Sequence, residues 1–298
     1  MRGLALMLSG SGLLLSGIAQ AQLTPQLRAT LDAAIAGGNE ADVDTLAKYL
    51  KKANPDEAAE IDRIIADHRS EIAAARQEKL RHQGFLSGWT GEGQVGISQS
   101  SGNSDTLGAT AGIALRRDGL RWRYNLRALA NYERDNGVTS RNQWLAAFEP
   151  NYKFSDRLFA FALAQYERDR FAGFDSRVTL SGGLGYRVVG SPGLTVDVKA
   201  GPAWRHTDFI GVPATSDVNA LGALDATWTI SPTLTLSENA TALYASSNTN
   251  LTSITALSVK LGGKLSARAS YQIGYNSDPP PLFGKTDTLS RLTLVYGF

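Results

Sequence analysis

The sequence predicts an all-β fold, an antiparallel transmembrane β-barrel of twelve strands, preceded by a signal peptide and a short α-helical segment. From Trp89 to Phe298, apolar and polar residues alternate with a period of two, the spacing of a strand with one apolar and one polar face. Turn-forming residues divide this stretch into segments of about ten residues or more, a length typical of membrane-spanning strands. The last segment ends on an aromatic residue, Phe298.

Residues 1–21 have the composition of an export signal. Met1-Arg2 supplies a positive charge, and an uncharged, mainly apolar run follows from Gly3 to Ile18. Ala19-Gln20-Ala21 is a small-residue cleavage site, so we expect the mature chain to begin at Gln22. The alternative is an uncleaved membrane anchor, but the run is shorter than the roughly 20 residues that a spanning helix requires.

Residues 22–85 have a helical composition, rich in Ala, Glu, Lys and Leu. A first helix is predicted to begin at Pro25 and to end at Gly37-Gly38. Asn54-Pro55-Asp56-Glu57 predicts a further helix, with Asn54 as the N-cap and Glu57 completing a capping box. We interpret this segment as a periplasmic spacer or oligomerisation element, and a plug or a docking module for a periplasmic partner is the alternative.

Residues 86–298 form the predicted barrel. In its clearest segment, Trp122, Tyr124 and Leu126 lie on an apolar face, whereas Arg123 and Arg127 lie on a charged one. Such a segment is typical of a strand that turns its apolar face to lipid and its polar face to a wet lumen. Similar segments predict twelve strands, centred near residues 95, 110, 127, 147, 163, 182, 200, 224, 239, 257, 271 and 292.

The connections between these segments alternate between tight and loose, which is expected of outer-membrane barrels with short periplasmic turns and longer external loops. The predicted tight connections fall at Asp118-Gly119, Ser155-Asp156, Gly190 to Gly193, Ser231-Pro232 and Gly262-Gly263. The predicted loose connections fall at Gly102 to Ser104, Asn136 to Thr139, Ala172 to Phe174, Asp208 to Asp217, Ser247 to Asn250 and Asp278 to Lys285.

Two positions fit the alternation poorly. One predicted strand carries Phe159 and Phe161 among other apolar residues, so both of its faces are apolar. Glu238 falls in register with the apolar residues Leu236 and Ala240, where a carboxylate that faced lipid would be costly. We therefore expect a β-bulge or a different register near Glu238.

The C-terminal residues have the form of the signal that the barrel assembly machinery reads. Leu292, Leu294, Tyr296 and Phe298 alternate with other residues up to the terminal aromatic. Together with the export signal, they predict the outer membrane of a Gram-negative cell as the location. Outer-membrane lipids and the assembly machinery are the expected partners. A formal net charge of +2 gives no indication of nucleic-acid binding.

Several short motifs of the barrel region resemble those of a known family. They are Ser101-Gly102-Asn103-Ser104, Arg121-Trp122-Arg123, Gly182 to Arg187, Ala200 to Arg205 and Tyr296-Gly297-Phe298. At these positions the chain resembles the YdiY-like family, whose members are labelled salt-induced outer-membrane proteins and contain a domain of unknown function. The resemblance covers roughly Trp89 to Phe298. It implies an outer-membrane barrel and brings no catalytic residues to this chain.

The same alternation directs many charged side chains into the predicted lumen. The basic ones are Arg116, Arg123, Arg127, Arg141, Lys153, Arg177, Arg187, Lys199, Arg205, Lys260, Arg268 and Arg291. The acidic ones are Glu92, Glu133, Glu149, Asp197, Asp225 and Asp287. We interpret the region as a structural barrel of the envelope, of a type linked to envelope stress, whose interior is filled or nearly closed by ion pairs, and in which Glu149 would lie near Arg123 or Arg127. The alternative is a porin-like path for small solutes, in which the basic excess would favour anions.

Enzymatic function is the second class that the sequence allows, although we predict none. Hydrolysis of a lipid ester by a hydroxyl nucleophile requires a His base and a third polar group that orients it. His206 is the only histidine of the barrel region, and by parity it faces lipid near the outer rim. Asp208 could orient its ring, and Thr207 or Ser216 could serve as the nucleophile. The chain has no Cys and no recognisable metal or nucleotide motif, so no cofactor is expected.

Overall fold

The computed structural model describes residues 23–84, 86–101, 106–135, 138–245, 248–279 and 284–298. The predicted export signal at 1–21 and the predicted loose connection at Gly102 to Ser104 lie outside these residues. The chain divides into two compact units, Met1–Glu78 and Lys79–Phe298.

The first unit is helical. It is built from α1 (Pro25–Ala36), α2 (Glu40–Ala53) and most of α3 (Ala58–Arg81), with a 3-10 turn at Pro55–Glu57. Leu31, Val43 and Ile61 are almost completely buried and form its core together with neighbouring Ala and Ile side chains. None of the described helices is long and apolar enough to cross a membrane.

The capping box predicted at Asn54 is absent. The Asn54 side chain makes no cap hydrogen bond, and its Nδ2 atom donates instead to the Leu50 carbonyl oxygen at 3.1 Å. The reason is the conformation of Pro55–Glu57, which form a 3-10 turn and not the first turn of an α-helix. Asn54 therefore satisfies the end of α2, whereas the sequence assigned it to the beginning of α3.

The second unit is a closed barrel of twelve antiparallel strands. The strands are β1 (Trp89–Ser101), β2 (Thr106–Asp118), β3 (Trp122–Asp135), β4 (Val138–Lys153), β5 (Leu158–Asp169), β6 (Phe174–Ser191), β7 (Leu194–Phe209), β8 (Thr215–Ser231), β9 (Leu234–Tyr244), β10 (Thr249–Gly262), β11 (Leu265–Asn276) and β12 (Thr286–Gly297). Each of the predicted strand centres falls within one of these strands, so the predicted fold class is confirmed.

The first and last strands close the barrel. β1 pairs with β12 from Glu92 opposite Gly297 to Ser101 opposite Thr288. Beyond this ladder, the Gly91 N–H donates to the Phe298 carbonyl at 3.0 Å, and the Phe298 N–H donates to the Gly91 carbonyl at 2.9 Å. Closure of this kind leaves no strand edge with unpaired backbone groups, which a hydrocarbon environment would not tolerate.

The connections define two ends of the barrel. We call the end with the β2–β3, β4–β5, β6–β7, β8–β9 and β10–β11 connections the turn end, and the opposite end the loop end. Gly193 and Gly263 have positive φ angles of 87° and 54°, which the tight turns between β6 and β7 and between β10 and β11 require. β4 begins at Val138, so part of the loose connection predicted at Asn136 to Thr139 belongs to a strand.

The strand register decides which side chains face outward, because residues directly opposite each other on neighbouring strands share a face of the sheet. The outward face carries aromatic side chains near both ends and aliphatic ones between them. The outward aromatics near the turn end include Trp89, Trp122, Tyr124, Tyr152, Tyr186 and Trp228. Those near the loop end include Tyr132, Trp144, Tyr166, Trp204 and Tyr244. Two such girdles around an apolar band are typical of membrane barrels.

The strand that is apolar on both faces is β5. Phe159 and Phe161 point into the lumen, where they form a buried cluster with Ala203, Leu221 and Leu243. A Cβ atom at Gly185, which lies opposite Phe159, would come within 2.2 Å of the Phe159 ring. Glycine at this position therefore makes room for an aromatic side chain inside the barrel.

The bulge or register change predicted near Glu238 is wrong. Both neighbouring strands pair with β9 without a shift at this position, and Glu238 lies opposite Ala226 on one side and Thr255 on the other. Its carboxylate faces outward and accepts hydrogen bonds from Ser253 Oγ at 2.6 Å and Thr255 Oγ1 at 2.5 Å. The outward carboxylate is thus tolerated because two outward hydroxyl groups solvate it.

Candidate functional site

The lumen receives the charged side chains that the sequence directed there. The register places on the inward face Arg116, Arg123, Arg127, Lys153, Arg177, Arg187, Lys199, Arg205, Lys260, Arg268, Arg291, Glu92, Glu133, Glu149, Asp197, Asp225 and Asp287. The Arg141 side chain lies outside the described side chains.

Four further carboxylates, which the alternation in the sequence does not indicate, share the inward face. They are Asp118, Glu167, Asp169 and Asp217. All four lie near strand ends, where a period-two pattern stops being visible in the sequence. The excess of basic over acidic residues is therefore smaller than the sequence indicates.

Asp118 is the centre of a cluster near the turn end. Its carboxylate lies 2.8 Å from Arg116 Nε, 3.1 Å from Arg123 Nε and 3.5 Å from Lys153 Nζ. The cations come from β2, β3 and β4, so a single carboxylate joins three neighbouring strands. Arg123 is nearly buried, with 11% of its side chain exposed, so solvent screens this interaction little.

Asp197 extends this cluster across the barrel. Arg187 binds it through two parallel hydrogen bonds, with Nε and Nη2 donating at 2.7 and 2.8 Å. Arg123 Nη1 lies 3.6 Å from the same carboxylate. Arg123 is on β3 and Asp197 is on β7, four strands away around the wall, so this pair bridges the lumen.

Lys199 forms a second bridge. Its Nζ atom donates to Glu149 Oε2 at 2.7 Å and lies 2.9 Å from Asp225 Oδ2. Glu149 also accepts from Asn151 Nδ2 at 3.1 Å. Arg127, which the sequence placed near Glu149, lies on the same inward face, two residues along β3 from the position opposite Glu149. The ion-pair partner of Glu149 is nevertheless Lys199, because the curved wall brings a cation from β7 to the carboxylate on β4.

Arg268 and Glu92 form a third bridge. Arg268 donates from Nη1 to Glu92 Oε1 at 2.6 Å and from Nη2 to Oε2 at 2.8 Å. Arg268 is on β11 and Glu92 is on β1, so the pair reaches over the intervening strand β12. This two-pronged geometry is specific to the planar guanidinium group.

Aromatic and small polar side chains fill the remaining space on several walls. Lys199 Nζ lies 5.7 Å from the Phe161 ring centre, and Arg123 Cζ lies 6.0 Å from that of Phe159. Towards the loop end, inward polar side chains are buried against one another; they include Ser98, Thr110, Asn131, Glu133, Thr179 and Thr207. The lumen is therefore narrowed by its own side chains over most of its length.

Three described inward cations, Arg116, Arg127 and Lys260, are exposed although they face the interior. Arg116 is paired with Asp118, which leaves Arg127 and Lys260. Arg127 Nη2 donates to Gln165 Oε1 at 3.3 Å, and among the described residues no carboxylate forms an ion pair with either cation. Asn239 and Asp225 also keep exposed surface on the inward face. These side chains mark the part of the lumen that water reaches.

His206 lies outside the lumen, on the outward face near the loop end, as the sequence predicts. Its Nδ1 atom is 2.7 Å from Ser216 Oγ, and its Nε2 atom is 3.3 Å from Asp208 Oδ1. Asp208 in turn accepts from Ser176 Oγ at 2.7 Å. Thr207, the other nucleophile considered, is buried and faces the lumen, so only Ser216 remains beside the imidazole.

The residues of the predicted assembly signal lie together on the outward side. Leu292, Leu294, Tyr296 and Phe298 are each half exposed, between 51% and 55%. They therefore form a continuous apolar strip along the closing strand β12.

The chain is similar to solved structures of a porin and of an outer membrane channel. One is the NanC porin, with a TM-score of 0.48 and 10% identity over 68% of this chain and 98% of that one. Another is the COG4313 outer membrane channel from Pseudomonas putida F1, with a TM-score of 0.46 and 12% identity over 73% of this chain and 98% of that one.

Similarity in sequence is more informative about this chain than similarity in fold. The chain is 22% identical to the uncharacterized protein YdiY of Escherichia coli (strain K12) over 205 residues, which cover 68% of this chain and 80% of that protein. The model of the family described as "Protein of unknown function, DUF481" matches residues 93–298. This match includes all of the barrel except the first residues of β1, and it confirms the predicted YdiY-like resemblance. The chain belongs to the DUF481 family.

Proposed function

We propose that this protein is an outer-membrane barrel through which small hydrophilic solutes pass passively, with a preference for anions. The observation that carries this proposal is that Arg127 and Lys260 are exposed on the inward face without an ion pair to a described carboxylate, whereas the other described basic groups of the lumen are buried, half-buried or paired with carboxylates. Different residues support the location of the protein, the width of its lumen and its preference for anions.

The exterior supports the location. A closed barrel satisfies its backbone hydrogen bonds internally, and its outward face here is an apolar band between aromatic girdles. The predicted export signal and the apolar strip on β12 agree with passage through the periplasm and recognition by the assembly machinery. We therefore propose outer-membrane lipids as the surroundings of this band.

The lumen supports passage of small solutes only. Strand number alone does not decide whether a barrel of this size is open, because side chains can fill it. Here the bridges Arg123–Asp197 and Lys199–Glu149 cross the interior, and Phe159 and Phe161 occupy the adjacent wall. We therefore expect the part of the lumen where Asn239 and Lys260 are exposed to admit hydrated ions rather than folded or bulky molecules.

The charges support weak anion preference. Arg127 on β3 and Lys260 on β10 present cationic groups to the water-accessible part of the lumen. Rings or pairs of basic side chains raise the local concentration of anions in a narrow pore. The paired charges contribute less to selectivity, because each cation is compensated by a nearby carboxylate.

Single-channel recording tests the proposal. The refolded mature protein is inserted into a planar bilayer with a KCl gradient, and conductance steps with a reversal potential displaced towards that of chloride are expected. The double variant Arg127→Gln/Lys260→Gln should lose this displacement. Lys264→Gln, an exposed lysine in the β10–β11 turn, is the matched control and should retain it. Silence from inserted protein would contradict the proposal and favour a structural role in the envelope.

A second candidate function, hydrolysis of acyl esters, is favoured by the Ser216–His206–Asp208 contacts. With its proton on Nε2, the imidazole donates to Asp208, and Nδ1 can accept the Ser216 hydroxyl proton. Ser216 Oγ would attack the ester carbonyl carbon, and the protonated imidazole would return that proton to the leaving alcohol. Water, deprotonated by His206, would then release the acyl group as a carboxylic acid and restore Ser216.

Release of fatty acid tests this candidate. Refolded protein is incubated with vesicles of dimyristoyl phosphatidylcholine, and myristate is quantified by mass spectrometry. Activity that Ser216→Ala and His206→Gln both abolish, and that Ser290→Ala on the outward face of β12 leaves unchanged, would support it. No myristate above the level of the Ser216→Ala variant would exclude it for this substrate.

A further inference from the structure

The outward face of β2 to β5 contains a hollow. Its volume is about 590 Å3, within the range of small-molecule sites. Its floor consists of alanines from neighbouring strands, Ala111, Ala128, Ala130 and Ala146. Ile113, Trp144 and Tyr166 form its walls, and Arg168 lies at its rim.

The register explains why the surface is recessed there. Ala128 lies opposite Ala146, and Ala130 lies opposite Ala111, so small outward side chains meet across three strands. Bulky outward residues surround them. An adjoining hollow of about 320 Å3 shares Ala128, Ala146 and Tyr166 and continues towards the turn end between Leu126, Phe148 and Leu180. We call the two hollows together the alanine groove.

The length of the groove matches one leaflet of a membrane. Arg168 lies opposite Trp144, and the far end of the groove lies at Phe148, four residues along β4. Four residues of a strand extend about 13 Å. Half of a hydrocarbon core about 30 Å thick is about 15 Å. One straight acyl chain could therefore lie in the groove with its polar end at Arg168.

Arg168 places a positive charge at the loop-end rim of the groove. It is half-buried, and among the described residues no carboxylate forms an ion pair with it. It belongs to a repeated motif, because Tyr132-Glu133-Arg134-Asp135 recurs as Tyr166-Glu167-Arg168-Asp169. Arg134 is also exposed and faces outward, but it lies opposite Thr139, five residues along β4 from Trp144, so it lies beyond the rim that Arg168 occupies.

We propose that the alanine groove binds a phosphate-bearing lipid of the outer leaflet, with one acyl chain on the alanine floor and the phosphate on Arg168. Arginine is well suited to this role, since its guanidinium forms paired charge-assisted hydrogen bonds with phosphate oxygens. The inference rests on the proposed membrane location, and it is independent of whether the lumen conducts.

A second copy of this chain fits the groove less well than a lipid. A two-fold symmetric contact through this face would bring the same arginines of both copies to one interface. Like charges held close together in a weakly screened environment oppose association. A lipid phosphate, in contrast, complements the charge at the rim, and its chain complements the apolar floor.

Lipid retention by the refolded full chain tests the proposal. Native mass spectrometry in detergent micelles compares dimyristoyl phosphatidic acid with dimyristoyl phosphatidylcholine, whose chains are identical. We expect phosphatidic acid to bind more tightly than phosphatidylcholine. In Arg168→Gln, the affinity for phosphatidic acid should fall by about tenfold or more, because a charge-assisted contact is removed. Ala128→Leu/Ala146→Leu fills the floor and should weaken binding although Arg168 is kept. Lys285→Gln, at the loop end beside β12, is the control and should bind as the wild type does.

Three outcomes would overturn the proposal. They are equal binding of both lipids, unchanged affinity in Arg168→Gln, and displacement of the lipid by inorganic phosphate at comparable concentration, which would indicate a free phosphate site. Circular dichroism of each variant establishes that the barrel has folded. Folded, inserted protein that binds phosphatidic acid but conducts no current would contradict the proposed pore and leave the lipid site intact.

Discussion

The Nζ atom of Lys199 lies 2.7 Å from Glu149 Oε2, although fifty residues separate the two in sequence. Lys199 is also the partner of Asp225, so its replacement leaves two carboxylates inside the barrel without their shared cation. Removal of one partner from a buried ion pair costs about 3–5 kcal/mol. We expect Lys199→Met to lower the urea midpoint of the refolded protein markedly.

The double variant Lys199→Met/Glu149→Met should recover part of the lost stability, since it removes one of the two unpaired carboxylates together with the lysine. Lys264→Met changes an exposed turn residue and should leave the midpoint almost unchanged. If Lys199→Met behaved like Lys264→Met, the bridge would contribute nothing to stability.

Gly183 is required by the close approach of β6 and β7. A Cβ atom at Gly183 would lie 2.1 Å from the backbone carbonyl oxygen of Ala200, which cannot move without disturbing the ladder. We expect Gly183→Ala to destabilise the barrel by about 1–3 kcal/mol, as overpacking does elsewhere. The measurement is the unfolding midpoint, and Gly222→Ala is the control because a Cβ atom there meets nothing within 4 Å. Equal midpoints for the two variants would show that the strands can separate at no cost.

Phe161 restricts the lumen. It is 5% exposed, lies on the inward face and contacts Lys199. Phe161→Ala should increase the single-channel conductance, since it removes an aromatic ring from the passage. Phe154→Ala, which removes an exposed ring at the turn end, should leave the conductance unchanged. A conductance that is unaltered in Phe161→Ala would place the ion path elsewhere.

The outward carboxylate of Glu238 is stabilised by hydrogen bonds from two hydroxyl groups. The double variant Ser253→Ala/Thr255→Val removes both donors and leaves the outward carboxylate without a hydrogen bond. We expect a loss of about 1–3 kcal/mol, the usual cost of a polar group deprived of its partner. Adding Glu238→Leu to this variant should restore stability, because the apolar band is then continuous. A triple variant that remained as unstable as the double variant would contradict this account.

The number and the faces of the strands could be predicted from the sequence because they depend on a local period of two. Phe159 and Glu238 show the limit of that reasoning. Each breaks the pattern for a reason that lies on another strand, a glycine opposite the ring in one case and two hydroxyl groups beside the carboxylate in the other. Those neighbours are set by register, and a period within one strand carries no information about register.

The ion-pair partners across the lumen could not be predicted either. Parity places Glu149 and Lys199 on the inward face, but only the curvature and stagger of the closed sheet bring β4 and β7 within reach of each other. Asp118 was missed because it ends a strand, where alternation is no longer visible. Ser216 became the partner of His206 through the β7–β8 register, which the sequence left open between two nucleophiles.

The mutual hydrogen bonds of Gly91 and Phe298 have a consequence for biosynthesis. β1 is synthesised before the other eleven strands and cannot pair with β12 until the last strand has been made, so its edge stays open to other chains in the meantime. Contacts between residues so distant in the chain form slowly, since the whole intervening chain must be ordered. We therefore expect the edges of β1 and β12 to be the sites at which this chain is most prone to pair with other chains before the barrel closes.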